Sequence, residues 1–406
     1  MGLRKVVLIT TGQPSTNPRI VKEADALQSA GFDVAVLYCH YINWATDADK
    51  NLLNNKTWKH QLIGGSPFQN KALYTLTRIR FRLARLVHQY FGNKMLLAER
   101  SQARAYDELL KAAKRIKAGW YIGHNLGALS IAVKAAEYNG GNAGFDFEDY
   151  HRGESTEATT QEINRIIYLE NKYVPGLNYI IASSPLIANK IAFHFPQQKD
   201  KILTLLNCFP LSHQPAFKEK KNEDESLQLF WFSQTIGTNR GLEILVDAMI
   251  QMNDIGVHLT LAGKCDSDFK EYLDSHAGSL KNHIHFAGII SPDEIAVYAA
   301  KFDVGMALEL PTPENRNICL TNKIFTYLLA GNVIVFSETK MQKQFAEEHK
   351  VGDCFSVDDV QGLIDILIKY KNKKISSPQR KYNYQLAEKV LNWENESKKL
   401  IKYFTI

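Results

Sequence analysis

The sequence predicts two doubly wound α/β domains of similar size, facing a cleft, with a C-terminal helix that packs back on the first. Short β-rich apolar runs alternate with helical patterns from one end of the 406 residues to the other. That rhythm is the mark of parallel strands covered by helices. The alternation pauses once, at 208–226, where two prolines precede a mixed charge run. A chain of this length also exceeds one ordinary core and suits two.

The elements follow in order. KVVLIT (5–10) is a buried strand, and RIVKEADALQSA (19–30) sets Ile20, Ala24, Leu27 and Ala30 on one helical face. Gly31 stands where a helix end favours a left-handed residue. Strands are expected at 33–39, 120–123, 143–149, 179–184 and 201–207. After the linker 208–226 they resume at 227–233, 257–263, 283–288, 304–310 and 333–337. SPDEIAVYAAKF (291–302) reads as a helix opened by Ser291, Pro292 and Glu294, a capping box with proline at the first position. The segment 378–404 has helical periodicity throughout. The expected division is 1–207, linker 208–226, 227–377, and a crossover helix within 378–406.

Composition excludes several classes. With 45% hydrophobic and 23% charged residues the chain is a folded protein, neither disordered nor fibrous. No charge-free run reaches the ~18 residues of a membrane span, and the apolar run after Arg4 and Lys5 is too short for a signal-peptide core. Five scattered cysteines form no CxxC pair, which fits a reducing compartment and offers no zinc ligand set. The expected location is cytoplasmic.

Open parallel sheets bind ligands beyond the carboxyl ends of their strands, so the loops there hold the candidates. TTGQPSTNPR (10–19) brings Gly12 between a strand and a helix, though without dinucleotide spacing; an ordinary tight turn explains it as well. Arg19 at a helix start opposes the macrodipole and points to an anionic partner or an acidic neighbour. GHNLGAL (123–129) and FDFEDYHRGE (145–154) supply His124, Glu148, Asp149 and His151 as acids, bases or hydroxyl contacts; surface loop side chains are the plain alternative. Arg240, at the opening of a second-half helix, suits a diphosphate. Lys323 sits in a helix's first turn, where an anion shared with the amides would explain it. DSD (266–268) could hold a metal, but helix capping accounts for it, and no metal site is expected.

Between Lys71 and Lys117 stand twelve basic and three acidic residues, with Leu73, Leu76, Ile79, Leu83, Leu86 and Val87 at helical spacing. A basic amphipathic helix fits an anionic membrane surface. A solvated helix is the alternative, and no nucleic-acid-binding motif accompanies the charge.

With these strings in place, the chain resembles the GT-B-fold glycosyltransferases, and is similar to the retaining enzymes of glycosyltransferase family 4 that build bacterial surface polysaccharides. The resemblance runs through NPRIVKEADALQSAGFDVAVL (17–37), IIASSPLIANKI (180–191), LLNCFP (205–210), RGLEILVDAM (240–249), HFAGIISPDEIAVYAAKFDVGMAL (285–308), NKIFTYLLAGNVIV (322–335) and LNWENESKKLIKYF (391–404). It implies two Rossmann-like domains, the first on the acceptor side and the second holding a nucleotide-sugar donor. Arg240, Lys323 and Gly12 would then contact the donor diphosphate, Gly288, Ile289 and Thr326 the nucleotide, and Glu309 or Glu314 the sugar. His124, Glu148 and Asp149 would orient sugar and acceptor. The family's paired glutamates are absent, with Ile318 and Thr326 at their places, and Gln234 stands where an arginine is usual. The implied reaction moves a hexose from a nucleotide-diphosphate sugar to a saccharide or lipid-linked hydroxyl, without metal or cofactor, at the inner face of a membrane. A non-catalytic scaffold of the same fold and a nucleotide-sugar 2-epimerase are the rivals; the missing glutamates favour the first, and the second needs more cleft carboxylates than Glu148 and Asp149 offer.

Overall fold

The computed structural model describes residues 4–219, 226–254, 256–372 and 377–405, with the side chains of Ser279 and Thr405 left aside. Part of the expected linker, 220–225, lies outside the described residues. The chain divides into two compact units: residues through Leu205 together with those from Lys399 onward, and Leu206–Lys398.

In the first unit seven strands form one parallel sheet: β1 (Lys5–Thr10), β2 (Asp33–Cys39), β3 (Lys59–Ile63), β4 (Trp120–His124), β5 (Asn142–Phe147), β6 (Tyr179–Ala182) and β7 (Ile202–Thr204). Their order is β3-β2-β1-β4-β5-β6-β7, so the winding reverses between β1 and β4. Val6, Leu8, Val34 and Val36 meet Ile20, Ala24 and Leu27 of the helix Pro18–Ser29, all buried, as the helical spacing requires. Gly31 takes φ +85° just beyond that helix.

The second unit repeats the plan with β8 (Leu227–Ile236), β9 (Val257–Cys265), β10 (Ile284–Gly288), β11 (Val304–Ala307), β12 (Val333–Ser337) and β13 (Gly352–Phe355), ordered β10-β9-β8-β11-β12-β13. Here the reversal falls between β8 and β11. Leu229, Trp231, Leu259, Leu261 and Met306 form the core with Leu245, Val246, Leu363 and Leu367.

Three expectations are corrected. β8 continues to Ile236 through a register shift after Phe232, because Thr235 and Ile236 still pair with Lys264 and Cys265. The helix expected from Ser291 begins only at Ile295 and ends at Ala299; Ser291 Oγ bonds the Glu294 side chain, at 3.1 Å, instead of capping amides. The closing helix is two helices, Ser377–Lys389 and Trp393–Thr405. Buried Asn392 makes the break: its Nδ2 donates to Ala387 and Glu388 carbonyls, both at 2.9 Å, and its Oδ1 accepts from Asn395 N at 2.9 Å. One side chain thereby ends one helix and caps the next. The second of these packs back on the first unit as expected. Tyr403 donates to Asn178 O at 2.7 Å, and the Phe404 ring lies 5.0 Å from that of Trp120 and 5.4 Å from that of Tyr179.

Candidate functional site

In doubly wound sheets the crevice opens where strand order reverses. Each unit has one such point, and each gathers polar groups there.

In the second unit the site is built downward from Tyr327. This tyrosine, on the helix Asn322–Ala330, lies against Gly305 of β11; a Cβ at that glycine would sit 2.2 Å from the ring. Its hydroxyl donates to Phe230 O at 3.1 Å and Met306 O at 3.3 Å. The helix is thereby pinned across β8 and β11, which sets Lys323, one turn earlier, beyond the end of β11. Lys323 Nζ donates to Glu309 Oε1 at 2.7 Å, with both residues more than nine-tenths buried, and lies 5.4 Å from the Trp231 ring centroid. Glu309 is fixed from behind, since Ser337 Oγ accepts from its backbone N at 2.7 Å and donates to its carbonyl at 2.6 Å.

The backbone just after Arg240 comes to the same place. Gly241 opens the helix Leu242–Met252 with φ +76°, and a Cβ there would lie 3.3 Å from Leu308 Cβ and 4.0 Å from Glu309 N. The N-terminus of that helix, with half-buried Arg240 before it, therefore abuts the Glu309 loop. Sequence reasoning missed a third cation: Arg316, on the helix Glu314–Ile318, donates to Asn239 O at 3.1 Å. Its signal in the sequence is slight, a single arginine two residues after Glu314.

The other second-unit candidates are not drawn in. Gly288 ends β10, two strands away from β8 in the sheet, Ile289 follows it, and both are exposed. Thr326 is 1% exposed and its hydroxyl donates to Asn322 O at 3.2 Å. Ile318 is core and Glu314 is exposed. Asp266 caps the helix Ser267–His276, accepting from Phe269 N at 2.8 Å, as the capping reading expected.

In the first unit Gly12 N donates to Thr10 Oγ1 at 3.1 Å, and Thr10 Oγ1 bonds Asn125 Oδ1 across the reversal between β1 and β4. Beside it lies a buried charge network. Arg19 grips Asp146 through two bonds, Nε to Oδ2 at 2.7 Å and Nη2 to Oδ1 at 3.0 Å, and donates to Leu205 O at 3.1 Å. The acidic neighbour that its position called for is therefore Asp146. His124, only 1% exposed, sets Nε2 2.8 Å from Glu23 Oε2 and Nδ1 3.5 Å from Asp146 Oδ2.

Burial alone would lower His124 and raise Asp146. The Glu23 contact and the two carboxylate charges instead raise the imidazole, while Arg19 and His124 hold Asp146 below the usual carboxylate range. Glu23, His124 and Asp146 bring one ligand atom each within 4.8 Å of the others, a set that could hold a metal. Arg19 on both Asp146 oxygens already supplies positive charge there, so the donors do not fit a dication well.

Glu148, mostly withdrawn from solvent, is pushed up to about 7 by burial and the charges of Asp146 and Asp149, against the pull of Arg19. A carboxyl poised near neutrality suits proton transfer. Asp149 is partly exposed beside it, and His151 is buried with Nδ1 3.5 Å from Glu170 Oε1.

No protein-family model and no curated protein matches the chain. Solved structures match nearly its whole length. HepE (Alr3699) of Anabaena, solved with UDP and glucose, is 15% identical over 99% of each chain at a TM-score of 0.69; it has also been solved with UDP-glucose. Sucrose-phosphate synthase of Thermosynechococcus elongatus is 12% identical over 99% of this chain and 98% of that one, at 0.71. A glycosyltransferase of Rickettsia africae is 9% identical over 98% and 97%, at 0.69. At such identities the likeness is one of fold, and the fold of this chain is GT-B, one doubly wound α/β unit followed by another.

Proposed function

We propose that the protein is a glycosyltransferase that takes a sugar from a nucleotide-diphosphate donor and passes it to an acceptor hydroxyl. The observation that carries this reading is the approach of one helix N-terminus, at Gly241 just after Arg240, to the loop whose Glu309 pairs with Lys323, at the winding reversal of the second sheet. Helix N-termini present unpaired amides and a positive dipole, and added cations make the place suited to a diphosphate. The fold shared with HepE, solved with UDP and UDP-glucose, supports the same reading.

In this mechanism the leaving diphosphate gathers charge as the glycosidic bond breaks. Arg240 and Lys323 stabilise it without needing to reorganise, and Arg316 adds to the field. Glu309 orients the ammonium through Oε1, and its second oxygen is available to a sugar hydroxyl. Glu148, near neutrality, exchanges the acceptor proton with Asp149 beside it, and buried His124 holds the network that positions them. The transfer is of the hexosyl type and retains configuration, the acceptor is a saccharide or lipid-linked sugar in polysaccharide or glycolipid synthesis, and the protein works in the cytoplasm at an anionic membrane face.

The test is a thermal-shift panel of nucleotides followed by donor turnover. UDP, GDP or a related nucleotide raises the Tm, and Arg240→Ala removes the shift; if no nucleotide stabilises the chain the reading fails. A non-catalytic member of the fold is the second reading, favoured by buried Thr326 and Ile318 where carboxylates stand in the resembling family. Nucleotide binding without donor turnover would select it.

A further inference from the structure

The helix Lys71–Phe91 is attached to the first unit by the wrong side. Its 21 residues span about 32 Å. The three it buries are Thr77, Ala84 and His88, small or polar side chains on one line. Thr77 donates to Tyr74 O and Gly64 O, and its hydroxyl accepts from Arg104. Arg80 pairs with Glu108, Arg85 with Glu162 at 3.1 Å, and Gln161 donates to His88 O at 3.2 Å. Polar contacts thus fasten the helix down.

Its apolar side faces out. Leu76 (57%), Ile79 (53%), Leu83 (55%), Leu86 (54%), Val87 (37%) and Tyr90 (83%) are exposed. At 100° per residue they fill an arc of roughly 100°, on the side away from Thr77 and Ala84. Phe91 and Met95 extend the stripe at one end, exposed by 60% and 76%. A soluble monomer rarely shows so long an apolar surface without a use for it.

We infer that this ridge is a membrane-insertion device: the helix lies in the plane of an anionic bilayer surface, its leucine face among the acyl chains and its basic flank at the lipid phosphates. Between residues 71 and 98 there is no Asp or Glu. Lys71, Arg78 and Arg82 are exposed along one flank of the ridge, with no ion pair to a carboxylate among the described residues. That flank complements anionic headgroups. It equally disfavours a second copy of the chain as the occupant, since two such flanks would face each other. No helix among the described residues is long and apolar enough to cross a membrane, so an in-plane helix is the geometry left to this stripe.

The structure also changes where the attachment resides. The basic excess of 71–117 is partly consumed, since Arg80 and Arg100 serve Asp107 and Glu108 and Arg104 serves backbone carbonyls. Apolar insertion, more than charge, then sets the affinity. The inference concerns the membrane part of the reading above and stands or falls apart from the transfer chemistry.

The test uses the full chain with phosphatidylcholine vesicles, with and without phosphatidylglycerol, in the absence of nucleotide. Association with the phosphatidylglycerol vesicles is expected at low salt and is retained in part at high salt. The triple variant Ile79→Ser, Leu83→Ser, Leu86→Ser should bind at least about tenfold more weakly with an unchanged Tm, because those side chains are half exposed already. Arg78→Glu with Arg82→Glu should weaken binding chiefly at low salt. No association with either vesicle, or association untouched by the serine triple, overturns the inference. So does a dimer in light scattering that the serine triple dissolves, which would assign the ridge to a second copy.

Discussion

Lys323 donates to Glu309 across 2.7 Å while both side chains are withdrawn from solvent. Neither residue has a second ion-pair partner among the described residues. A buried pair costs most when it is broken on one side only, by about 3–5 kcal/mol, because the remaining charge is stranded. Lys323→Met should therefore destabilise the second unit by that order and remove nucleotide binding. Glu309→Gln keeps an acceptor for the ammonium and should cost less, while weakening the donor's KM more than the fold. Urea unfolding beside nucleotide thermal shifts separates the two effects; equal losses in both variants would reject the positioning role of Glu309.

Arg316 and Arg240 flank the same helix N-terminus, the former through the Asn239 carbonyl. Both are partly exposed, so their removal should leave stability within about 0.5 kcal/mol. Arg240→Ala should abolish nucleotide stabilisation, and Arg316→Ala should reduce it, by a margin that shrinks as salt screens the field. Titration calorimetry at two ionic strengths measures this. An Arg316→Ala protein with unchanged nucleotide affinity would remove that residue from the site.

How much of this could be read in the sequence follows from which forces act locally. The strands that sequence reasoning found are central ones, apart from the edge strands β7 and β10. The two it missed, β3 (KHQLI) and β13 (GDCF), are short, polar edge strands that pair on one side, and no periodic signal distinguishes them from loops. Arg19 was legible as an anomaly, but its partner Asp146 lies 127 residues away, a distance no spacing rule spans. The helix Lys71–Phe91 was legible as amphipathic. Its orientation was not, because Thr77 and Ala84 announce nothing until Gly64, Arg104 and Glu108 are seen to grip that side. The same holds for Lys323: its place in a first turn was plain from the sequence, and Glu309 as its counter-ion was not.

Arg19 and Asp146 are 3% and 2% exposed, and Arg19 also holds Leu205 O, where the chain leaves the first unit. Arg19→Met should cost about 3–5 kcal/mol by stranding the Asp146 carboxylate. The pair Arg19→Met with Asp146→Leu should recover most of that loss, because the cost lies in the orphaned charge. Chemical denaturation of the two variants tests it, and a double variant no more stable than the single one would show that the bidentate bond itself carries the stability.

Glu148 and His124 give the first unit a pH dependence whose sign can be worked out. Glu148 rises from its ordinary 4.5 to about 7 on folding, so the folded chain holds a proton that the unfolded chain releases. Its contribution is complete below 4.5 and is lost as pH climbs through 7. His124 is raised above its ordinary 6.5, so its contribution is present below that value and fades as pH passes the raised one. Asp146, held low, works the other way and is lost only in strong acid, as pH falls below its ordinary 3.8. Stability should therefore decline from mildly acidic to mildly alkaline solution, with Glu148→Gln flattening much of the decline. Tm against pH for the wild type and Glu148→Gln reads this directly. If Glu148 also exchanges the acceptor proton, the same variant loses the acid limb of the rate profile near 7 while still binding nucleotide with unchanged affinity. A variant that keeps the full pH–Tm slope would place the titration elsewhere.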